Sequence, residues 1–310
     1  MKFIKSIPMA TCGLSLGLAA LGNLLLPLAH GHIMRYICGA LSFVVLAIFA
    51  LKIIFDTSHA KEELKTPVPL SVLPTATMAI MLLSVYIRPY AGYFAVGIWY
   101  AALAVHICIM LVFVKRFAFG FKLGTVFPSW FIAGVGIVAA SVTAPAMGAI
   151  IIGQIAFYAG LVLYFAILPL VILRMNKVRI FQEPARKTVA IFTAPMSLLV
   201  VGYFGSFVSR GQMNETLVYI MLAISAISYI YVSIMMFSLL KIKFYPTYAA
   251  FTFPYVISAM AFRLGANFLA VRHGFDFLVT IADITMWIAV AAVVFVSVHY
   301  VRYFRFWMKF

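Results

Sequence analysis

Carboxylates are the scarcest chemistry in this chain. It has seven Asp and Glu among 310 residues, against 23 Lys and Arg, and charged residues make up only 10% of the total. A soluble domain carries roughly a quarter. With 66% of its residues apolar, the chain has too little polar surface to cover itself in water. Cysteine is nearly absent too: Cys12, Cys38 and Cys108 all fall inside apolar runs, which excludes a disulfide framework. No His or Cys pair has metal-ligand spacing, and there is no phosphate-binding glycine loop or nucleophile elbow. Neither an enzymatic centre nor a cofactor is expected. The Glu62-Glu63 pair sits in a basic stretch and reads as a solvated face.

What fills the chain instead is apolar runs of membrane-spanning length. Ten spans are expected, at roughly 7–28, 34–55, 69–87, 91–114, 127–144, 149–173, 187–208, 216–240, 247–265 and 277–301. Runs of about 18 to 26 residues cross a ~30 Å hydrocarbon core with some tilt. The connections are short, so residues 1–310 read as a single all-α transmembrane domain in a lipid bilayer. The first span has no clear small-residue cleavage site and reads as a retained helix rather than a signal peptide.

The net charge of +16 would suit a nucleic-acid binder, but its distribution points elsewhere. With ten spans, one side of the membrane receives Lys2, Lys5, Lys52, Lys61, Lys65, Lys115, Arg116, Lys122, Arg174, Lys177, Arg179, Arg186, Lys187, Lys241, Lys243, Arg302, Arg305 and Lys309. The other receives Arg35, Arg88, Arg210, Arg263 and Arg272. This alternation is the positive-inside pattern, and it puts both termini in the cytoplasm. The cations set topology, and no nucleic acid is implied.

Odd-numbered spans carry prolines at Pro8, Pro74, Pro128, Pro195 and Pro254, about one helical hairpin apart, together with small and hydroxyl residues. Even spans are bulkier. Proline frees a carbonyl and kinks a helix, and small residues leave volume or allow close approach. The pattern predicts five hairpins, with kinked odd spans around a centre and even spans facing lipid. Charge inside the spans is sparse. Arg263 and Asp283 are expected to pair near the outer interface, and His106 to be a hydrogen-bonded packing residue. No acidic ring that would attract cations is present, and both flanks are net positive, about +14 inside and +2 outside. Positive flanks around an uncharged lining favour anions.

Four segments carry a family likeness. They are Pro8-x4-Gly13-x2-Leu16-Gly17-Leu18-Ala19-Ala20, Leu73-Pro74-x-x-Thr77-Met78, Glu183-Pro184 followed by Ala194-Pro195, and Ala250-Phe251-Thr252-Phe253-Pro254. In register with ten spans, they resemble the tellurite-resistance/dicarboxylate transporter family, which includes bacterial TehA and the slow-type anion channels of plants. The resemblance implies ten helices in five hairpins with quasi-fivefold symmetry around a central pore, and homotrimeric assembly in a bacterial inner membrane. It implies that Phe253 plugs the pore as a gate. Ser15 stands where the bacterial relative has proline, and Leu168 precedes Pro169 where that relative has glutamate. Candidate lining residues are Gly13, Gly17, Pro74, Pro128, Pro195 and Pro254, with Thr75 and Ser197 as hydroxyl donors. The expected function is an anion channel or channel-like uniporter for small inorganic or organic anions. The alternative is a proton-coupled carrier of a C4-dicarboxylate or an oxyanion such as malate, sulfite or tellurite.

Overall fold

The computed structural model describes residues 2–178, 183–241 and 243–308; Arg179 and Lys309 lie outside them. Among the described residues every regular element is helical. In chain order these are α1 (Lys2–Ser6), α2 (Thr11–Leu25), α3 (Gly31–Phe55), α4 (Thr57–Glu63), α5 (Pro67–Val72) and α6 (Pro74–Phe113). They continue with α7 (Trp130–Val135), α8 (Val138–Met147), α9 (Ile150–Lys177), α10 (Glu183–Arg186), α11 (Ala194–Ser206), α12 (Glu215–Leu239), α13 (Phe253–His273) and α14 (Phe277–Met308). Tight 3-10 turns over Lys187–Thr193 and Pro246–Phe251 lead into α11 and α13. Eight helical stretches of the described chain are long and apolar enough to cross a membrane, and α2, at 15 residues, is a shorter apolar helix. The chain is an integral membrane protein.

One stretch, Pro67–Ala118, runs for 52 residues where two spans and a connection were expected. The explanation lies at Gly92, whose φ of 51° and ψ of −129° break α6 in the middle, three residues after Pro89. Only glycine adopts such a backbone without strain. His106 Nδ1 lies 2.8 Å from Thr77 Oγ1 across 29 residues. A straight helix would hold them ~44 Å apart. The chain therefore turns back at Gly92 with almost no loop.

Burial sorts the helices into two sets. All of α2 except Asn23 is buried, and the Trp130–Met147 and Lys187–Arg210 stretches are 78% buried over their apolar windows. By contrast, α3, α9, α12 and α14 are 28–33% buried, with exposed Ile, Phe and Val as lipid requires. The limb of α6 before Gly92 is largely buried; the limb after it buries a single stripe, including Ala95, Trp99, Ala102 and His106. The inner elements touch in sequence: α2 packs on α6, α6 on α8, α8 on α11, α11 on α13, and α13 on α2. Each is also backed by an outer helix, as in α2 on α3, α8 on α9, α11 on α12 and α13 on α14.

Lipid offers no hydrophobic drive between helices, so small residues and hydroxyl bonds hold them. Ser15 and Ser42 exchange bonds between α2 and α3, Ser42 Oγ donating to Ser15 O at 2.7 Å. Trp99 Nε1 donates to Thr143 Oγ1 at 2.7 Å, tying the outer limb of α6 to α8.

The odd-span prolines stand at or just before the starts of helical segments. Pro74, Pro195 and Pro254 occupy the first or second position of α6, α11 and α13. There the missing N–H costs nothing and the fixed φ favours initiation. Each follows a short helical turn; Leu73 and Thr193 keep helical φ and ψ, and the backbone is non-helical only at Thr252 before Pro254. Pro8 and Pro128 likewise precede α2 and α7 rather than sit within them.

Candidate permeation site

The helix starts converge on a cavity of about 60 Å³. Its wall takes Gly13 and Leu16 from α2, Thr75 and Met78 from α6, Ile132, Val135 and Gly136 from α7 and its end, Pro195 and Leu198 from α11, and Phe253 and Pro254 from α13. The wall is predominantly apolar and contains no charged side chain. A second, smaller cavity of about 10 Å³ lies toward the C-terminal ends of these helices, with Asn23, Leu82, Val142 and Met260 on its wall. Phe253 and Leu198 line both cavities.

Local backbone fixes Phe253. It is the first residue of α13, after Thr252, whose φ of −87° and ψ of −87° are not helical. Thr252 Oγ1 donates to Ala249 O at 2.7 Å. Opposite stands Gly17, where a Cβ would lie 2.4 Å from Thr252 Cβ and Oγ1 and 3.0 Å from Phe253 N. Only glycine lets α2 come this close to the start of α13. The ring of Phe253 is 7% exposed.

The other candidates divide. Gly13, Thr75, Pro195, Phe253 and Pro254 meet at the larger cavity. Gly17, Pro74, Pro128 and Ser197 are not on its wall. Gly17 faces Thr252, and Pro74 and Pro128 are buried. Ser197 donates to Thr193 O at 2.7 Å and meets Ser225 Oγ at 2.6 Å and Ser258 Oγ at 3.0 Å, linking α11, α12 and α13. Thr75 Oγ1 has Val72 O at 2.8 Å and Cys12 Sγ at 3.0 Å. Neither hydroxyl is held free for a solute in this conformation. Sequence reasoning missed Leu16, Met78, Val135 and Leu198. The signal was available for three of them: Leu16, Met78 and Leu198 lie three residues beyond the candidates Gly13, Thr75 and Pro195 on one helical face.

Arg263 Nη1 donates to Asp283 Oδ1 at 2.8 Å, the pair expected from the sequence. His106 is fully buried. Because Thr77 Oγ1 already donates to Pro74 O at 2.7 Å, the imidazole Nδ1–H donates to Thr77, and Nε2 has no partner among the described residues.

Electrostatics come from the surroundings of the wall. Of the helices that begin beside the larger cavity, α13 alone follows a non-helical residue, Thr252, and a free helix start carries about half a positive charge. Thr188 is on the wall, and its neighbour Lys187 stands behind it, with Nζ 3.0 Å from the centre of the Tyr248 ring and bonded to Lys243 O at 2.9 Å.

The fold is a helical membrane bundle that encloses an apolar, uncharged cavity. The chain belongs to the SLAC1 family, described as voltage-dependent anion channel, whose family model matches residues 4–303. This is the family to which the four odd-span segments pointed. No curated protein matches the chain. The protein is a membrane anion channel or transporter.

Proposed function

We propose that the chain is an anion channel or channel-like uniporter, with a pore running through both cavities and closed by Phe253. The observation that carries this reading is the position of Phe253 on the walls of both cavities, with only the neighbouring Leu198 sharing that position. Anions would pass down their gradient along an apolar wall. With no fixed charge on the wall, binding is weak and exit is as easy as entry.

The same reading takes ten crossings in five hairpins of quasi-fivefold arrangement. Eight long apolar stretches become ten when Pro67–Ala118 counts as two and α2 counts as one. The cycle of contacts from α2 through α6, α8, α11 and α13 back to α2 supports five inner helices around one axis. Cytoplasmic termini follow from the charge alternation, with the bacterial inner membrane as the expected location. Homotrimeric assembly, one pore to each protomer, rests on family membership.

Purified protein in liposomes separates channel from carrier. Flux that rises linearly with the driving force and persists without a proton gradient supports the channel. Flux that saturates and stops when the proton gradient is collapsed would replace it with the proton-coupled dicarboxylate or oxyanion carrier.

A further inference from the structure

Five arginines are expected on the side opposite the cytoplasmic cations, and two of them pair with carboxylates. Arg263 pairs with Asp283 at 2.8 Å and Arg272 with Glu215 at 2.5 Å. Arg210 is exposed on a 3-10 turn, and the Arg88 guanidinium lies over the exposed Tyr93 ring.

Arg35 is different. It is the fifth residue of α3 and is half-buried. Its guanidinium carbon lies 4.5 Å from the centre of the Tyr86 ring, and Nε donates to Asn23 Oδ1 at 3.2 Å. Asn23 is on the wall of the smaller cavity, which also contains Phe253. The placement is enforced from behind. A Cβ on Gly22 would lie 2.4 Å from Tyr86 Oη and 3.1 Å from Arg35 Cα, so α2 and α3 touch where Arg35 meets Asn23. Among the described residues no carboxylate forms an ion pair with Arg35.

We propose that Arg35, positioned by Asn23 and Tyr86, is an anion-binding residue at the outer end of the pathway. A guanidinium has five N–H donors, and the bond to Asn23 uses one. Those remaining suit a small oxyanion such as nitrate or a carboxylate, held by two parallel bonds, or a halide held by one or two. An anion arriving from outside meets this charge before the apolar constriction at Phe253. The inference rests on the channel reading above and adds a site to it.

The test is Arg35→Cys in an otherwise unchanged protein, recorded in planar bilayers with nitrate as the probe anion. Relative to wild type, the half-saturating nitrate concentration on the outer side should rise about tenfold, the size expected for a lost charged hydrogen bond. The value measured from the inner side should not move. A positively charged thiol reagent on the outer side should restore the wild-type value, and a negatively charged reagent should reduce the current further. Wild type treated with the same reagents controls for Cys12, Cys38 and Cys108. Arg35→Lys should keep most of the effect, and Asn23→Ala should reproduce part of the loss. Equal responses to the two reagents, or an unchanged outer half-saturation in Arg35→Cys, would overturn the site while leaving the channel intact. A wild-type protein that carries no nitrate current overturns the channel reading, and the site with it.

Discussion

Replacing Phe253 with alanine removes a ring that lines both cavities. On the proposed gate, the structure is the closed state, with Phe253 at 7% exposure where the cavity walls bring α2 and α11 to the start of α13. Opening the pore requires the ring to swing aside and lose most of that packing. Truncating a buried Phe to Ala costs about 3–5 kcal/mol, which bounds what the packing is worth. Taking the lower figure, and about 1.4 kcal/mol for each factor of ten, the resting open fraction is on the order of one in a hundred or less. Phe253→Ala needs no such displacement, so its anion current should rise on the order of 100-fold. Phe253→Leu should fall between the two, because a smaller apolar side chain still narrows and dries the constriction. Leu198 remains on both walls, so some narrowing survives and the increase stays finite. The assay is macroscopic current in planar bilayers at matched protein density, with assembly checked by size-exclusion profile and thermal unfolding. A well-assembled Phe253→Ala protein with wild-type current would refute the gate.

Three further outcomes follow from the packing. Gly17→Ala would drive a Cβ to 2.4 Å from Thr252; it should destabilise by about 1–3 kcal/mol, seen as a lower Tm in detergent, and should alter resting current because Phe253 N is also crowded. Ser197→Ala breaks the hydroxyl cluster with Ser225 and Ser258; it should cost about 0.6 kcal/mol, at most about 1.7, and leave anion selectivity unchanged, whereas a large selectivity change would put Ser197 in the pathway. The partly exposed Arg263–Asp283 pair should show a coupling of no more than about 1 kcal/mol in a double-mutant cycle of unfolding with Arg263→Gln and Asp283→Asn, and a larger value would mean that the pair is more deeply desolvated than its exposure indicates.

The membrane-spanning character was legible because a bilayer imposes one simple demand, a long run of apolar residues. That Phe253 lines a cavity was foreshadowed by a short motif, Thr252-Phe253-Pro254, which marked it among 29 phenylalanines. Three features were not legible, each for a physical reason. A proline reads the same in sequence whether it kinks a helix or starts one. The difference depends on whether the preceding turn continues with helical geometry, as the non-helical Thr252 shows. The hairpin inside α6 was expected to need a loop, and a single residue, Gly92, replaces it. Gly17 and Ser197 both looked like lining residues because small and hydroxyl side chains suit a cavity wall. They suit helix contacts equally well, and only the tertiary arrangement reveals that one faces Thr252 and the other Ser225 and Ser258.

The central claim is that anions pass through this protein, and the reversal potential of its current tests that most directly. Purified protein in a planar bilayer, under a tenfold gradient of a monovalent anion such as nitrate paired with an impermeant cation, should reverse near the anion's equilibrium potential, about 59 mV from zero. Changing the cation gradient at constant anion should not move it. A reversal potential that follows the cation, or a bilayer that stays silent even with Phe253→Ala, would contradict an anion pathway through the ring of inner helices.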